Sequence, residues 1–73
     1  MNKKLIEISI TSEFITLGQF LKFADIISSG GEAKSFLASH KVLVNGEEDN
    51  RRGRKLRDND EVIINGQTYR IKG

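Results

Sequence analysis

Two Asn-Gly dipeptides, Asn45-Gly46 and Asn65-Gly66, constrain this chain more than any other feature. Each supplies the two positive-φ positions of a type I′ turn, whose twist matches that of paired strands. The second stands between Glu61-Val62-Ile63-Ile64 and Gln67-Thr68-Tyr69-Arg70-Ile71, two runs rich in β-formers, and predicts a hairpin. The first follows Val42-Leu43-Val44 and turns the chain into a charged loop. Asp58-Asn59-Asp60 reads as another tight turn, with Asn59 able to take a left-handed conformation. The second half is therefore built of short strands.

The first half has another period. Ile6, Ile8 and Ile10 alternate with Glu7 and Ser9, as in a strand with one buried face. At Thr16 the pattern becomes helical. Thr16 can cap a helix, Gln19 can reach back to it, and Ile15 can pack on Phe20 as a hydrophobic staple. Leu17, Phe20, Leu21, Ala24 and Ile27 form an apolar stripe, and the helix is expected to stop around Asp25 to Ser28. Ser29 to Glu32 repeats the capping pattern, followed by a second stripe of Ala33, Phe36, Leu37 and His40. At about 100° per residue, Lys34, Ala38 and Lys41 share one flank of this second helix. The predicted order is β-α-α-β-β-β. That is an α+β fold with two short packed helices against a small antiparallel or mixed sheet of about four strands.

A chain of 73 residues buries only about 60% of the surface its unfolded form exposes, so its core yields a few kcal/mol at most. One domain over 1–73 is expected, with no large substrate cavity and no small-molecule substrate. The lack of Cys excludes a disulfide framework and a Cys-based zinc site, and no cofactor is expected. No apolar run approaches the ~20 residues of a membrane span. The start, Met1-Asn2-Lys3-Lys4, leads into only six residues with Glu7 among them, so a soluble, cytoplasmic protein without a membrane partner is expected.

The net charge of +2 conceals a segregation. Arg51-Arg52-Gly53-Arg54-Lys55-Leu56-Arg57 holds five positive charges and no negative one, and the remaining 66 residues balance at −3. A basic run can be a solvated loop or an anion site. Four Arg beside one Lys favours the anion site, because the guanidinium fork suits bidentate phosphate contacts and stacks on bases. Glu47, Glu48 and Asp49 stand before the run, and Asp58, Asp60 and Glu61 after it. These acids serve solubility and turn formation, or Glu47, Glu48, Asp49 and Asp60 repel phosphates from wrong paths. Gly30-Gly31 is a tight inter-helix turn, or a helix start that a phosphate can approach closely. The two uses are compatible.

Chemistry is sparse. His40 is the one histidine, placed for packing or a helix end, and no triad can be assembled. Gly30-Gly31-Glu32-Ala33-Lys34-Ser35 lacks the spacing of a P-loop. Phe14, Phe20, Phe23, Phe36 and Tyr69 are possible stacking platforms; Phe20 and Phe36 lie on core stripes, whereas Phe23 and Tyr69 are open.

The stretch from Thr16 to Ile64 resembles an S4 domain. The resemblance rests on the helix pair Leu17 to Ala24 and Ala33 to Leu37, on Val42-Leu43-Val44-Asn45-Gly46-Glu47, and on Leu56-Arg57-Asp58-Asn59-Asp60. Leu17-Gly18-Gln19-Phe20-Leu21-Lys22, Gly30-Gly31-Glu32-Ala33-Lys34 and Arg51-Arg52-Gly53-Arg54-Lys55-Leu56 are similar to the free-standing S4-like proteins of the bacterial YaaA type. The resemblance implies an S4-like (αL motif) fold and non-catalytic binding of structured RNA, chiefly ribosomal RNA, with a role in ribosome assembly. The resemblance implies RNA contact through the helix pair and the basic loop. Together with the helix flank, the glycine-rich helix start and the polar side of the first helix, this makes Gln19, Lys22, Gly30, Gly31, Lys34, Lys41, Arg51, Arg52, Arg54, Lys55 and Arg57 the candidate RNA-binding residues. Two departures stand out. Many S4 domains start the second helix with Ser-Arg, so Lys34 alone carries that contact here, and Asn59 replaces the Gly of a Gly-Asp turn. A monomer is expected. Two other classes remain: an adaptor for an acidic protein, and a β-grasp sulfur carrier, whose terminal Gly-Gly is not matched by Arg70-Ile71-Lys72-Gly73.

Overall fold

Both Asn-Gly dipeptides make the turns their chemistry dictates, with φ of 52° and 88° at Asn45 and Gly46 and of 52° and 80° at Asn65 and Gly66. The structure, a computed structural model, describes residues 5–73; Met1-Asn2-Lys3-Lys4 lies outside them. The elements follow as β1 (Ile6–Ser9), β2 (Ile15–Thr16), α1 (Leu17–Phe23), a 3₁₀ turn (Gly30–Glu32), α2 (Ala33–Ser39), β3 (Val42–Val44), β4 (Glu47–Glu48), β5 (Lys55–Leu56), β6 (Glu61–Ile64) and β7 (Gln67–Lys72).

Five strands form one mixed sheet in the order β1-β7-β6-β3-β4. β1 runs parallel to β7, and the other neighbours are antiparallel. β2 and β5 make a separate two-stranded ribbon, pairing Ile15 with Leu56 and Thr16 with Lys55. The strands outnumber the four or so expected because β2, β4 and β5 are two residues each, too short to show a period, and each exists only through its partner. Asn59 takes the left-handed conformation expected of it, at φ 74°.

One face of the sheet is buried beneath the helix pair. Val42, Val44, Val62, Ile64 and Ile71 meet Leu17, Phe20, Leu21, Ala33 and Leu37 in a single core. Phe20 is fully buried and packs edge-on against Tyr69, ring centroids 5.3 Å apart, so Tyr69 belongs to the core margin. Burying a side chain of this size is worth about 1.5–3 kcal/mol.

Three local expectations need correction. α1 ends at Phe23, before the expected Asp25 to Ser28, because Asp25 turns to φ 61°; Ile27 reaches the core from a fold-back whose N–H donates to Leu21 O. Ser29 makes no side-chain cap, and Glu32 instead accepts from the Ser28 N–H through Oε1, which gives a 3₁₀ turn ahead of α2. Lys41 is not on α2 with Lys34, because the helix ends at Ser39 and His40 is extended.

Candidate nucleic-acid interface

The first N–H groups of any helix lack partners within it. At α1 they are met in two ways. The Gln19 N–H donates to Thr16 Oγ1 at 3.2 Å while the Thr16 N–H donates to Gln19 Oε1 at 3.0 Å, completing the predicted capping box. The Leu17 and Gly18 N–H groups donate to Arg54 O and Arg52 O, at 2.7 and 2.9 Å. The basic segment is thus docked on the start of α1 by its main chain. Gly18 lies close against the segment: a Cβ there would stand 3.4 Å from Arg52 O and 3.5 Å from the Cβ atoms of Ala33 and Arg52, in ordinary van der Waals contact. Leu56, fully buried, fixes the far side of the segment in the core.

Asp49 holds the near side. Its carboxylate, only 8% exposed, accepts from Arg51 Nε at 3.1 Å, Arg51 Nη2 at 2.8 Å, the Arg51 N–H at 2.9 Å and Arg54 Nη1 at 3.0 Å. The hydrogen bonds from the Arg51 side chain, helped by the Arg51 N–H and Arg54, hold the Asp49 carboxyl well below the ordinary carboxylate range, against an opposing push from desolvation. Asp60 likewise builds a turn, accepting from the Arg57 N–H at 2.7 Å and from Asn45 Nδ2 at 3.1 Å. Turn and loop formation therefore accounts for these two acids, whereas Glu47 and Glu48 are exposed on β4.

The five cations of the segment consequently separate. Arg51 and Arg54 close on Asp49. Lys55 Nζ and Arg57 Cζ lie 4.9 and 5.7 Å from the centroid of the half-buried Phe14 ring, a seat that residue spacing did not reveal. Arg52 lines a groove of about 430 Å³ together with Gly18, Gln19, Lys22, Gly30 and Gly53. Gln19, Lys22, Gly30 and Arg52, nominated from three separate parts of the sequence, thus share one surface. Gly31 is exposed beside Gly30, and Lys34 lies in the first turn of α2. Lys41 borders a different hollow beyond the other end of α2, with His40, Glu48, Asp49 and Asn50. His40 stacks on Phe36 at 4.1 Å and occupies the helix end. Among the described residues, no group of His, Asp or Glu side chains could hold a metal ion.

Residues 8–72 match the family model of the S4 domain. The chain belongs to the S4 domain family. It is similar to the Probable ribosome maturation protein RlbA of Bacillus subtilis (strain 168), at 68% identity over 59 residues that cover 81% of this chain and 83% of that protein. The S4 match runs from within β1 to the end of β7 and so contains both helices, the docked basic segment and every candidate residue. Among the described residues, no helix of this S4 protein is long and apolar enough to cross a membrane.

Proposed function

We propose that this S4 protein is a non-catalytic, monomeric RNA-binding module of the cytoplasm that recognises structured RNA, chiefly ribosomal RNA, and acts in ribosome maturation. One observation carries the reading: a basic segment pinned by its main chain to α1 presents Arg52 into the same groove as Lys22, Gln19 and Gly30. A cation held by a docked backbone loses less freedom on binding than one on a mobile loop. Structured RNA suits such a surface because it is met largely through phosphates, shape and 2′-OH groups. Lys34, Lys55, Arg57 and Gly31 extend the surface around the groove, Arg51 and Arg54 shape it, and Lys41 is peripheral. The ribosomal assignment draws on the maturation role in the relative's name. If about five phosphates are neutralised, the log-log salt slope of binding is roughly −4.

Crosslinking in cells followed by sequencing of the bound RNA tests this, with the Lys22→Ala/Arg52→Ala/Lys55→Ala/Arg57→Ala variant as control. Ribosomal RNA enriched by the native protein and lost from the variant is the expected result. An RNA yield unchanged in the variant, or recovery of an acidic protein without RNA, overturns the proposal.

A further inference from the structure

Gln19 and Lys22 line a second groove on their other side, a cleft of about 730 Å³ formed with Ser12, Phe14, Ile15 and Phe23. Phe23, the last residue of α1, is 63% exposed, whereas Phe20 is fully buried and Phe36 half-buried. A Phe left this exposed forgoes most of the stabilisation that burying its ring would give, a notable sacrifice in so small a domain. Phe14, across the cleft, carries Lys55 and Arg57 against its ring. Lys22 lines the same cleft, and no acidic residue does; Glu13 and Asp25, near in the chain, are not part of the lining.

We infer that this cleft is a nucleobase site, an inference that rests on the RNA-binding reading. It takes one unpaired nucleobase of the RNA against Phe14 and Phe23, while Lys22, Lys55 and Arg57 meet the flanking phosphates. The chemistry selects this occupant. An apolar protein segment would cover the rings but desolvate the three cations without pairing them, and an acidic peptide would pair the cations and leave the rings bare. A nucleotide offers a flat, weakly hydrated ring and an anion on either side, which matches both halves of the cleft. Because Lys22 and Gln19 border both grooves, a continuous RNA can place its helical backbone in the first and an extruded base in the second. The preferred RNA is therefore a helix interrupted by a bulge or closed by a loop, where bases are already unstacked.

Fluorescence anisotropy with two synthetic RNAs tests the inference: a blunt duplex, and the same duplex carrying a bulge of unpaired adenosines. The native protein should prefer the bulged RNA. Phe23→Ala should weaken binding to it by about 5- to 150-fold, the range corresponding to one lost base stack, and leave the blunt duplex unaffected. Phe23→Trp should keep the preference, and Arg52→Ala should weaken both RNAs. Phe23 is exposed, so its replacement leaves the fold intact, which a thermal melt verifies. Equal binding of the two RNAs by the native protein, an equal loss on both in Phe23→Ala, or no loss on either overturns the nucleobase site while RNA binding itself stands. If the native protein binds neither RNA, the nucleobase site and the RNA-binding reading fall together.

Discussion

Arg51 and Arg54 differ from Arg52, Lys55 and Arg57 in what holds them, although all five share one run of seven residues. The first pair converges on a single, nearly buried carboxylate, and Arg51 engages both of its oxygens. The other three have no carboxylate within ion-pair distance among the described residues. The main chain explains the split. Once Arg52 O and Arg54 O are fixed on the start of α1 and Leu56 is sunk in the core, the intervening side chains must point in different directions. A basic run is thus not one electrostatic object. Part of its charge is tied to Asp49 and organises the loop, even though Arg51 is itself exposed, and part has no carboxylate partner among the described residues and is left for a polyanion.

The strongest way to break this comparison is to remove the anchor. Leu56→Ala deletes a fully buried side chain and should cost about 2–5 kcal/mol, comparable with the whole stability of so small a domain. Lys55→Ala and Arg57→Ala, on either side of it, should each stay within about 0.5 kcal/mol. Urea denaturation compares the three; a Leu56→Ala midpoint equal to the native one would mean that the segment is not held through the core.

Next in size is the division of the cations themselves. Arg52→Ala/Lys55→Ala/Arg57→Ala should flatten the salt slope of RNA binding by about 2–3 while sparing the melting temperature. Arg51→Ala/Arg54→Ala should do the reverse, lowering the melting temperature more than the slope. Identical slopes for the two variants would dissolve the distinction between organising and presented charge.

A smaller effect sharpens the role of Asp49. Asp49→Asn keeps the shape of the side chain but removes the charge that four hydrogen bonds address, at a cost of about 1–2 kcal/mol once exposure of Arg51 is allowed for. Each kcal/mol lowers the melting temperature of a domain this size by about 4–8 °C. The pH dependence has a definite sign. The folded-state carboxyl is depressed below its ordinary value of 3.8, so its contribution is complete above that value and is lost as pH falls toward the folded one. The gap between native and Asp49→Asn stability should be full at neutral pH and narrow below 3.8; a gap that widens with acid would contradict the ion-pair account.

What the residues reveal in advance follows the reach of each interaction. The Thr16 and Gln19 capping box and both Asn-Gly turns are legible because their partners lie within a few positions and their backbone demands are specific. The end of α1 is misplaced by a periodicity that Ile27 continues even though Asp25 has already broken the helix. The docking of Arg52 and Arg54 on α1 is invisible because carbonyl acceptors carry no residue signature, and Thr16 is paired with Lys55 across most of the chain. For the candidate surface, residue types identified the cations but not their division, since that depends on where the fold carries Asp49 and Phe14. Asp49 had one readable cue: Arg51 lies two positions on, close enough for a local Asp-Arg loop clasp.

The smallest expected effect separates the two lysines that a helical count had placed together. Lys34 sits in the first turn of α2, the end that follows Gly30 and the groove, and Lys41 lies in extended chain past the other end, beside Glu48 and Asp49. Lys34→Ala should remove about one phosphate contact, reducing the salt slope of RNA binding by roughly 0.7–0.9. Lys41→Ala should leave both slope and affinity at native values, because the nearby acids already oppose an approaching phosphate there. Anisotropy titrations at several salt concentrations measure both. Equal losses from the two substitutions would extend the RNA path along the whole of α2, and a loss from Lys41→Ala alone would move it away from the groove altogether.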